Sequence, residues 1–371
     1  MNRHTLVGLL VIAPVPATAQ LRLGTVQLDI RVPRSPMVAA SGGQARLIYE
    51  LRITNVGRGG YGVSRIEVSG GGQLLGSFQG DTLKSMAART GETGDGRQIG
   101  AGRQSIFFLS LATAVAPRVL EHRFLLTPLD SLDGTPTDTV SGFEVAVDPT
   151  PAPVLQAPLR GGPWLAANGP GNTSAHRRAA HSVGGQVRIA QRYATDWLLY
   201  GPDGRLWRGD STRNENWYGY KSPLYAAGAG TVVALNDGIL ENVPFATKRA
   251  VPIDLQTIAG NFVILDIGAG FYAFYAHMVP GTVAVKIGDR VKPGQVLGLL
   301  GNSGNSGAPH LHFHLGNRPS PLGAEGVPFA IDSYEKLGDS KGFPEPWTAQ
   351  GGAEPRRREL PFDKQVIRFR P

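Results

Sequence analysis

The sequence predicts a mainly β protein made of two domains. It contains 371 residues, which is more than a single hydrophobic core usually serves. Short runs of Val, Ile, Leu, Phe and Tyr recur along the chain, separated by turns rich in its 50 glycines and 28 prolines. This pattern favours many short strands over long helices. We therefore expect an N-terminal β-sandwich followed by a C-terminal domain built on an antiparallel β-sheet.

Residues 1–19 have the layout of a secretory signal peptide. Arg3 provides a basic start, residues 6–14 form an apolar run, and residues 17–19 (Ala-Thr-Ala) resemble a cleavage site. The apolar run is too short to span a bilayer, and no later apolar segment approaches the roughly 20 residues that a transmembrane helix needs. We therefore expect a periplasmic or extracellular mature chain that has no transmembrane segment.

Residues 20–148 predict an accessory sandwich of the immunoglobulin-like kind. In ARLIYELRITNVG, residues 45–57, every second residue from Leu47 to Ile53 is apolar and the run ends in a turn. Further strand-like runs with glycine-rich turns follow, as expected for two packed antiparallel sheets. The single histidine of this region, His122, has no evident partner. We therefore expect a support or binding role for this domain.

A linker and a second domain are predicted to follow. Residues 149–163 are rich in proline, which is typical of a linker. Residues 164–371 contain the remaining candidate functional residues, so we place the active domain there.

The net charge of +8 favours an anionic partner. A cell-envelope polymer, a membrane surface and nucleic acid all satisfy that condition. The sequence has no recognisable base-reading motif and is predicted to be exported, so we do not expect a nucleic-acid partner. The basic pair Arg177 and Arg178 is either solvated or available to the carboxylates of a ligand.

Three histidines alternate along one predicted strand. In GAPHLHFHLG, residues 307–316, side-chain alternation places His310, His312 and His314 on one face of a strand. Three imidazoles on one face pack poorly but suit metal binding or proton transfer. Because the chain has no cysteine, any metal site must use His, Asp, Glu or water.

A predicted hairpin over residues 260–283 carries a further histidine. Alternation along its second strand places His277 on the same face as Ala273 and Tyr275. Strand pairing nevertheless brings it within reach of the alternating histidines, where it is a candidate for proton transfer.

Three segments of the second domain carry a family resemblance. YAAGAGTVV (225–233), YAHM (275–278) and VKIGDRVKPGQVLGLLGNSGNSGAPHLHFH (285–314) resemble the lysostaphin-type zinc metalloendopeptidases. The resemblance implies the barrel fold of that family, also called the duplicated hybrid motif. It also implies activity on peptide bonds of bacterial peptidoglycan.

The resemblance also implies roles for individual residues. His312 and Asp196 are expected to bind Zn²⁺, and His277 and His310 are expected to be catalytic. These roles agree with general chemistry, since a hydrolytic zinc site needs three protein ligands and a water molecule. Imidazoles beside it can accept a proton or polarise a developing oxyanion. His314 stands where the family has an acidic or polar residue, so we expect it to support a ligand or to be exposed.

One expected zinc ligand is missing from its usual position. The family has a histidine four residues before the aspartate, and this chain has Arg192 there, which has no lone pair for a metal. We expect His176 to complete the site from an upstream loop, with His181 as the alternative. Water, Asp210 or the absence of a metal remain open at this point.

The sequence therefore predicts a secreted zinc endopeptidase whose substrate is a peptide of peptidoglycan. The alternative is a degenerate relative that lost zinc through the Arg192 departure. Such a protein would act as a wall-binding or hydrolase-activating scaffold. The sequence leaves the oligomeric state and the scissile bond open.

Overall fold

The structure, a computed structural model, describes residues 26–130, 138–349 and 351–370. It is mainly β, with 46% of residues in strands and 4% in helices, which confirms the predicted fold class. The predicted signal peptide lies outside the described residues. Among the described helices, none has the length and apolar character that crossing a membrane requires.

Two antiparallel sheets occupy the N-terminal part. Their strands are β1 (Leu28–Arg31), β2 (Val38–Ser41), β3 (Gln44–Asn55), β4 (Tyr61–Gly70), β5 (Gln73–Gln79), β6 (Ala87–Arg89), β7 (Gln98–Ile99), β8 (Gln104–Thr113), β9 (Val119–Pro128) and β10 (Asp138–Ala146). The first sheet has the order β1-β3-β8-β6 with β2 on β3, and the second β10-β9-β4-β5 with β7 on β4. One helix, α1 (Gly80–Met86), follows β5.

The two N-terminal sheets pack face to face around one apolar core. Leu51 and Phe107 of the first sheet belong to the same buried cluster as Ile66 and Phe124 of the second. Alternation in β3 explains this face, because every second residue from Leu47 onward points into the core. The other face of β3 is also covered, since it packs against the C-terminal part of the chain.

Within its described residues, the C-terminal part contains sixteen strands, most of them in one sheet of twelve. They are β11 (Val154–Leu155), β12 (Gly161–Ala167), β13 (His181–Val183), β14 (Gln186–Arg188), β15 (Thr195–Leu199), β16 (Pro223–Tyr225), β17 (Gly230–Asn236), β18 (Asn261–Asp266), β19 (Tyr272–Met278), β20 (Arg290–Val291), β21 (Val296–Leu299), β22 (Leu311–Gly316), β23 (Gly326–Val327), β24 (Ala330–Asp339), β25 (Glu354–Glu359) and β26 (Gln365–Phe369). A short helix, α2 (Ala175–Arg178), and a 3₁₀ turn at Asn214–Asn216 complete the elements.

The order of the large sheet places the candidate residues together. Its strands run β11-β24-β26-β12-β15-β22-β19-β18-β17-β20, with β23 on β22 and β25 on β24, while β13-β14 and β16-β21 form two-stranded sheets. Strand β22 lies between β15 and β19, and His312 is the cross-strand partner of both Asp196 and Ala276. Leu311 and Phe313 point the opposite way into the core, as the alternation predicted.

Simple alternation was wrong for His277. It groups this residue with Ala273 and Tyr275, which both lie in the apolar core. His277 instead has φ of 67°, a left-handed conformation that is rare for a residue with a side chain. Its backbone N–H donates to the carbonyl of Ala259, and its ring contacts the ring of His310. Strain of this kind is often found at functional sites.

Candidate metal centre

Asp196 and His312 form the middle of the candidate site. They face each other on adjacent antiparallel strands, and Asp196 Oδ1 lies 3.0 Å from His312 Nδ1. Both side chains are buried. Asp196 Oδ2 also accepts a hydrogen bond of 2.9 Å from the side-chain amide of Asn168. The carboxylate is thereby held in one orientation.

His176 reaches the same carboxylate from α2. Its Nε2 atom lies 3.3 Å from Asp196 Oδ2, while its Nδ1–H donates to the carbonyl of Asn168 at 3.0 Å. This second hydrogen bond leaves the lone pair on Nε2, which points at the site. One ligand atom from each of His176, Asp196 and His312 lies within 4.8 Å of the other two. Two imidazoles and one carboxylate are a donor set that fits zinc.

The other candidates for the third ligand lie elsewhere. His181, on β13, lines the same groove but is outside the cluster of three. Asp210 is exposed, and its carboxylate accepts hydrogen bonds from the backbone and hydroxyl groups of Thr212. Of the residues offered by the sequence, the structure therefore groups His176 with Asp196 and His312.

Arg192 points away from the site. Its guanidinium lies 2.9 Å from Glu50 and 2.9 Å from Glu325, and it also donates to the carbonyl of Gly326. It is buried among these acceptors. The family pattern is broken at this position, but His176 offers a third donor atom within 4.8 Å of those of Asp196 and His312.

His310 and His277 stand beside the cluster. His310 Nε2 lies 3.3 Å from Asp196 Oδ1, and the ring of His277 lies 4.8 Å from that of His310. The Nδ1–H of His310 donates a hydrogen bond of 2.8 Å to the backbone carbonyl of Ala308. The Nδ1–H of His277 donates one of the same length to the backbone carbonyl of Ser303. The hydrogen bond of His277 leaves its Nε2 atom as a proton acceptor, whereas His310 Nε2 faces the Asp196 carboxylate and is placed to donate to it.

A polar turn over residues 302–306 holds these two histidines, and the sequence analysis did not single it out. Besides the carbonyl that Ser303 offers to His277, the Ser306 hydroxyl lies 3.3 Å from His310 Nδ1. The Asn242 amide donates to three carbonyls of the turn. The repeated Gly, Asn and Ser of this segment could have predicted the turn, since these residues are typical of turns.

His314 is buried behind His312 rather than exposed. His314 Nδ1 lies 3.0 Å from His312 Nε2, and its ring stacks on Phe274 with centroids 4.3 Å apart and planes 6° apart. If His312 presents the Nδ1 lone pair to a metal, its Nε2–H donates to His314. The proton of His314 is then on Nε2, which has no hydrogen-bond partner among the described residues.

The electrostatics favour an ionised carboxylate at Asp196 beside neutral imidazoles at His176 and His277. Burial opposes ionisation of Asp196, but His176 and His310 hold its pKa well below the usual value. Burial lowers the pKa of His176 to about 4 and, together with the nearby histidines, keeps that of His277 well below its usual value. For His310 the attraction of Asp196 outweighs burial and raises the pKa.

The site opens into a groove of about 490 Å³. The histidines and Asp196 form one wall, and Arg249 and the half-exposed Phe343 also line it. Among the described residues lining the groove, Arg249 is the only arginine or lysine. It donates to the carbonyl of Ala246 at 2.8 Å, and the remaining guanidinium faces solvent in part. An anionic group on a ligand would find its partner there.

Part of the chain is similar to known proteins. Residues 218–323 match Peptidase family M23. The chain is 33% identical to the peptidoglycan DD-endopeptidase ShyA of Vibrio cholerae over 103 residues, 28% of this chain and 19% of the relative. It is 66% identical to the glycyl-glycine endopeptidase ALE-1 of Staphylococcus capitis over 40 residues, 11% of this chain and 10% of the relative. The lysostaphin catalytic domain of Staphylococcus simulans aligns with 39% of this chain and 80% of its own, at 23% identity and a TM-score of 0.24.

Residues 218–323 are therefore an M23-type peptidase domain. The chain spans a fifth or less of the length of the two curated relatives. The family match contains His277, His310 and His312, whereas His176 and Asp196 lie upstream of it. The family match therefore says nothing of those two residues, and it is the structure that places them beside His312.

Proposed function

We propose that this protein is an exported zinc metalloendopeptidase that hydrolyses peptide bonds of peptidoglycan. One observation carries the proposal: His176, Asp196 and His312 converge within 4.8 Å at the wall of an open groove. Its relatives named as peptidoglycan endopeptidases support the substrate class. Export is supported by the signal-like residues 1–19, and no nucleic-acid partner is proposed.

The metal would be held by His176 Nε2, an oxygen of Asp196 and His312 Nδ1. A zinc ion with three protein ligands supplies Lewis acidity and lowers the pKa of a water molecule to about 7. Asn168 supports two of these ligands at once, since its amide donates to Asp196 and its carbonyl accepts from His176. Such outer contacts fix the tautomer and the orientation of the ligands.

His277 and His310 would carry the proton transfers. His277 has its Nδ1 proton tied to a backbone carbonyl, so its Nε2 is available to take a proton from the attacking water. His310 Nε2 faces the Asp196 carboxylate, which favours the protonated imidazole as a donor. Once protonated, either imidazole becomes a donor for the oxyanion that develops on the scissile carbonyl. The proton then passes to the leaving amine, which completes hydrolysis.

The groove wall also supports a peptide substrate with a carboxylate near the scissile bond. Asn242 connects the backbone next to Arg249 to the 302–306 turn. Its side-chain oxygen accepts a hydrogen bond from the N–H of Ala250, and its side-chain amide donates to the carbonyl of Asn302. The backbone beside this cation is therefore tied to the turn that contacts His277 and His310. The Arg249 guanidinium can give a carboxylate a charge-assisted hydrogen bond.

The scaffold alternative depended on the loss of a zinc ligand at Arg192. His176 provides a third donor, and both His277 and His310 line the groove. These features support the enzyme over the scaffold. We also propose that residues 20–148 and 164–371 are separate domains joined by a linker at 149–163.

The test is metal analysis of the purified mature protein, followed by digestion of purified peptidoglycan with and without a chelator. We expect one bound zinc per chain and cleavage that the chelator abolishes and added Zn²⁺ restores. Intact polymer binding by a metal-free protein that does not cleave would instead establish the scaffold.

A further inference from the structure

Glu50 of the N-terminal sandwich holds two arginines of the C-terminal part. It lies on β3 and is only 3% exposed. Its Oε1 atom accepts from Arg177 Nε at 3.0 Å, and its Oε2 atom accepts from Arg192 Nε at 2.9 Å. Burial opposes its ionised form, but Arg192 and Arg177 hold its pKa below the usual value. Glu50 is therefore a carboxylate shared between two cations.

Arg177 fastens the loop that carries His176 to the sandwich. It is fully buried, which excludes both the solvated and the ligand-binding interpretation of this residue. Besides Glu50, it donates to the carbonyls of Tyr49 on β3 at 2.8 Å and Leu109 on β8 at 2.6 Å. Every one of these three acceptors belongs to the N-terminal sandwich.

Arg192 fastens the segment that leads to Asp196 in the same way. Its second carboxylate partner is Glu325 at 2.9 Å, just before β23. Glu50 and Glu325 thus balance the charges of Arg177 and Arg192. Removing one carboxylate leaves a positive charge buried without compensation, which is far more costly than losing a surface ion pair.

His176 depends on this anchor because its own element is small. Helix α2 has four residues, so backbone hydrogen bonds give it little independent stability. Its neighbour Arg178 also contacts the sandwich, with its guanidinium 4.5 Å from the ring of Phe108. The position of His176 therefore depends on the contacts that Arg177 and Arg178 make with the sandwich.

We propose that Glu50 is a positioning residue of the metal centre, which acts through Arg177 on His176 and through Arg192 on the segment carrying Asp196. This inference rests on the proposed metal site. It gives the sandwich a definite role, which is to hold two zinc ligands at the distance that binding requires. It also gives a reason for the arginine at position 192.

The experiment measures the affinity of the full mature chain for Zn²⁺ by competition with a chromophoric chelator. We expect Glu50→Gln to bind Zn²⁺ at least about tenfold more weakly than the wild type, as loss of an outer support of a ligand does elsewhere. The matched control is Glu67→Gln, on β4, which removes ion pairs to Arg65 and Arg123 far from the site. Equal affinity in wild type and Glu50→Gln would overturn the proposal.

A second measurement separates positioning from general destabilisation. Val68→Ala opens a cavity in the sandwich core without touching the network, so it lowers stability but should leave Zn²⁺ affinity unchanged. With Co²⁺ in place of Zn²⁺, the visible absorption spectrum of Glu50→Gln should differ from that of the wild type. The spectrum of Val68→Ala should be the same as that of the wild type. Equal loss of affinity in both variants would reduce Glu50 to a structural residue.

A second variant, Glu50→Asp, serves if Glu50→Gln does not fold. Its side chain keeps the charge but is too short to reach both arginines, so we expect the same weakening of Zn²⁺ binding. If the wild type binds no Zn²⁺, the proposed function itself fails. Tight binding by the wild type with unaltered binding by Glu50→Asp overturns only the positioning role.

Discussion

Asp196 Oδ1 and His312 Nδ1 lie 3.0 Å apart on directly paired residues of β15 and β22. Cross-strand neighbours in a buried sheet cannot separate without breaking the ladder between them. The two central donors of the candidate metal centre are thus held by the paired strands of the sheet. His176 is held differently, by the four-residue helix α2.

Replacing His312 with alanine should abolish metal binding. In the wild type, free Zn²⁺ at a thousand times its dissociation constant should raise the free energy of unfolding by about 4 kcal/mol. In His312→Ala this increase should disappear, while the metal-free variant stays folded. Denaturant unfolding with and without Zn²⁺ measures both effects. A variant that is still stabilised by Zn²⁺ would mean that the ion binds elsewhere.

His176→Ala tests the residue that replaces the expected ligand. We expect at least a hundredfold loss of Zn²⁺ affinity, since one of three protein ligands is removed. His181→Ala is the matched control, because His181 lines the same groove but lies outside the cluster. If His181→Ala loses the metal and His176→Ala retains it, the ligand assignment is wrong.

His277→Ala should separate catalysis from metal binding. Its ring contacts the site, but it is not one of the three clustered donors. We expect cleavage of peptidoglycan to slow by about 10²- to 10⁴-fold, the usual contribution of a proton-transfer residue. Zinc content should remain one per chain. Full activity in this variant would leave His310 as the single proton carrier.

Arg249→Gln should lose a preference for anionic substrates. On a peptide with a free carboxylate beside the scissile bond, we expect kcat/KM to fall about tenfold or more, because a charge-assisted hydrogen bond is lost. On the same peptide with that carboxylate amidated, the variant and the wild type should cleave equally. Lys248→Gln, the exposed neighbour, is the control. Equal losses on both peptides would contradict a carboxylate-binding role.

His122 should make the sandwich sensitive to acid. Its Nε2 atom is 2.8 Å from the hydroxyl of Tyr49, and burial lowers its pKa to about 4. The unfolded chain therefore takes up a proton between about pH 6.5 and pH 4 that the folded chain does not. Stability is fully present above about pH 6.5 and falls with pH across that window, by about 3 kcal/mol from this group.

The measurement compares the free energy of unfolding of the wild type and His122→Phe at pH 7 and pH 4.5. The variant should be less stable at pH 7, since the Tyr49 hydroxyl loses its partner. Its stability should then decline less on acidification than that of the wild type. The same decline in both proteins would show that other groups cause it.

Local sequence was sufficient for the strand that carries His310, His312 and His314. Side-chain alternation depends only on neighbouring residues, so the shared face could be predicted. It failed for His277, where a left-handed backbone turns the side chain to the other face. That conformation is decided by packing against the 302–306 turn, and periodicity contains no information about it.

By itself, the sequence determined the fold class and the residue types at the core of the site. Alternation and turn chemistry act over a few residues, and the ordered family motifs cover one continuous segment. Only the tertiary structure showed that His176, rather than His181, lies in the cluster with Asp196 and His312, and where Arg192 points. Those outcomes depend on Glu50, which lies 127 and 142 positions before its two arginine partners. The energy of a buried charge depends on the neighbours that folding brings to it, and chain order does not reveal them.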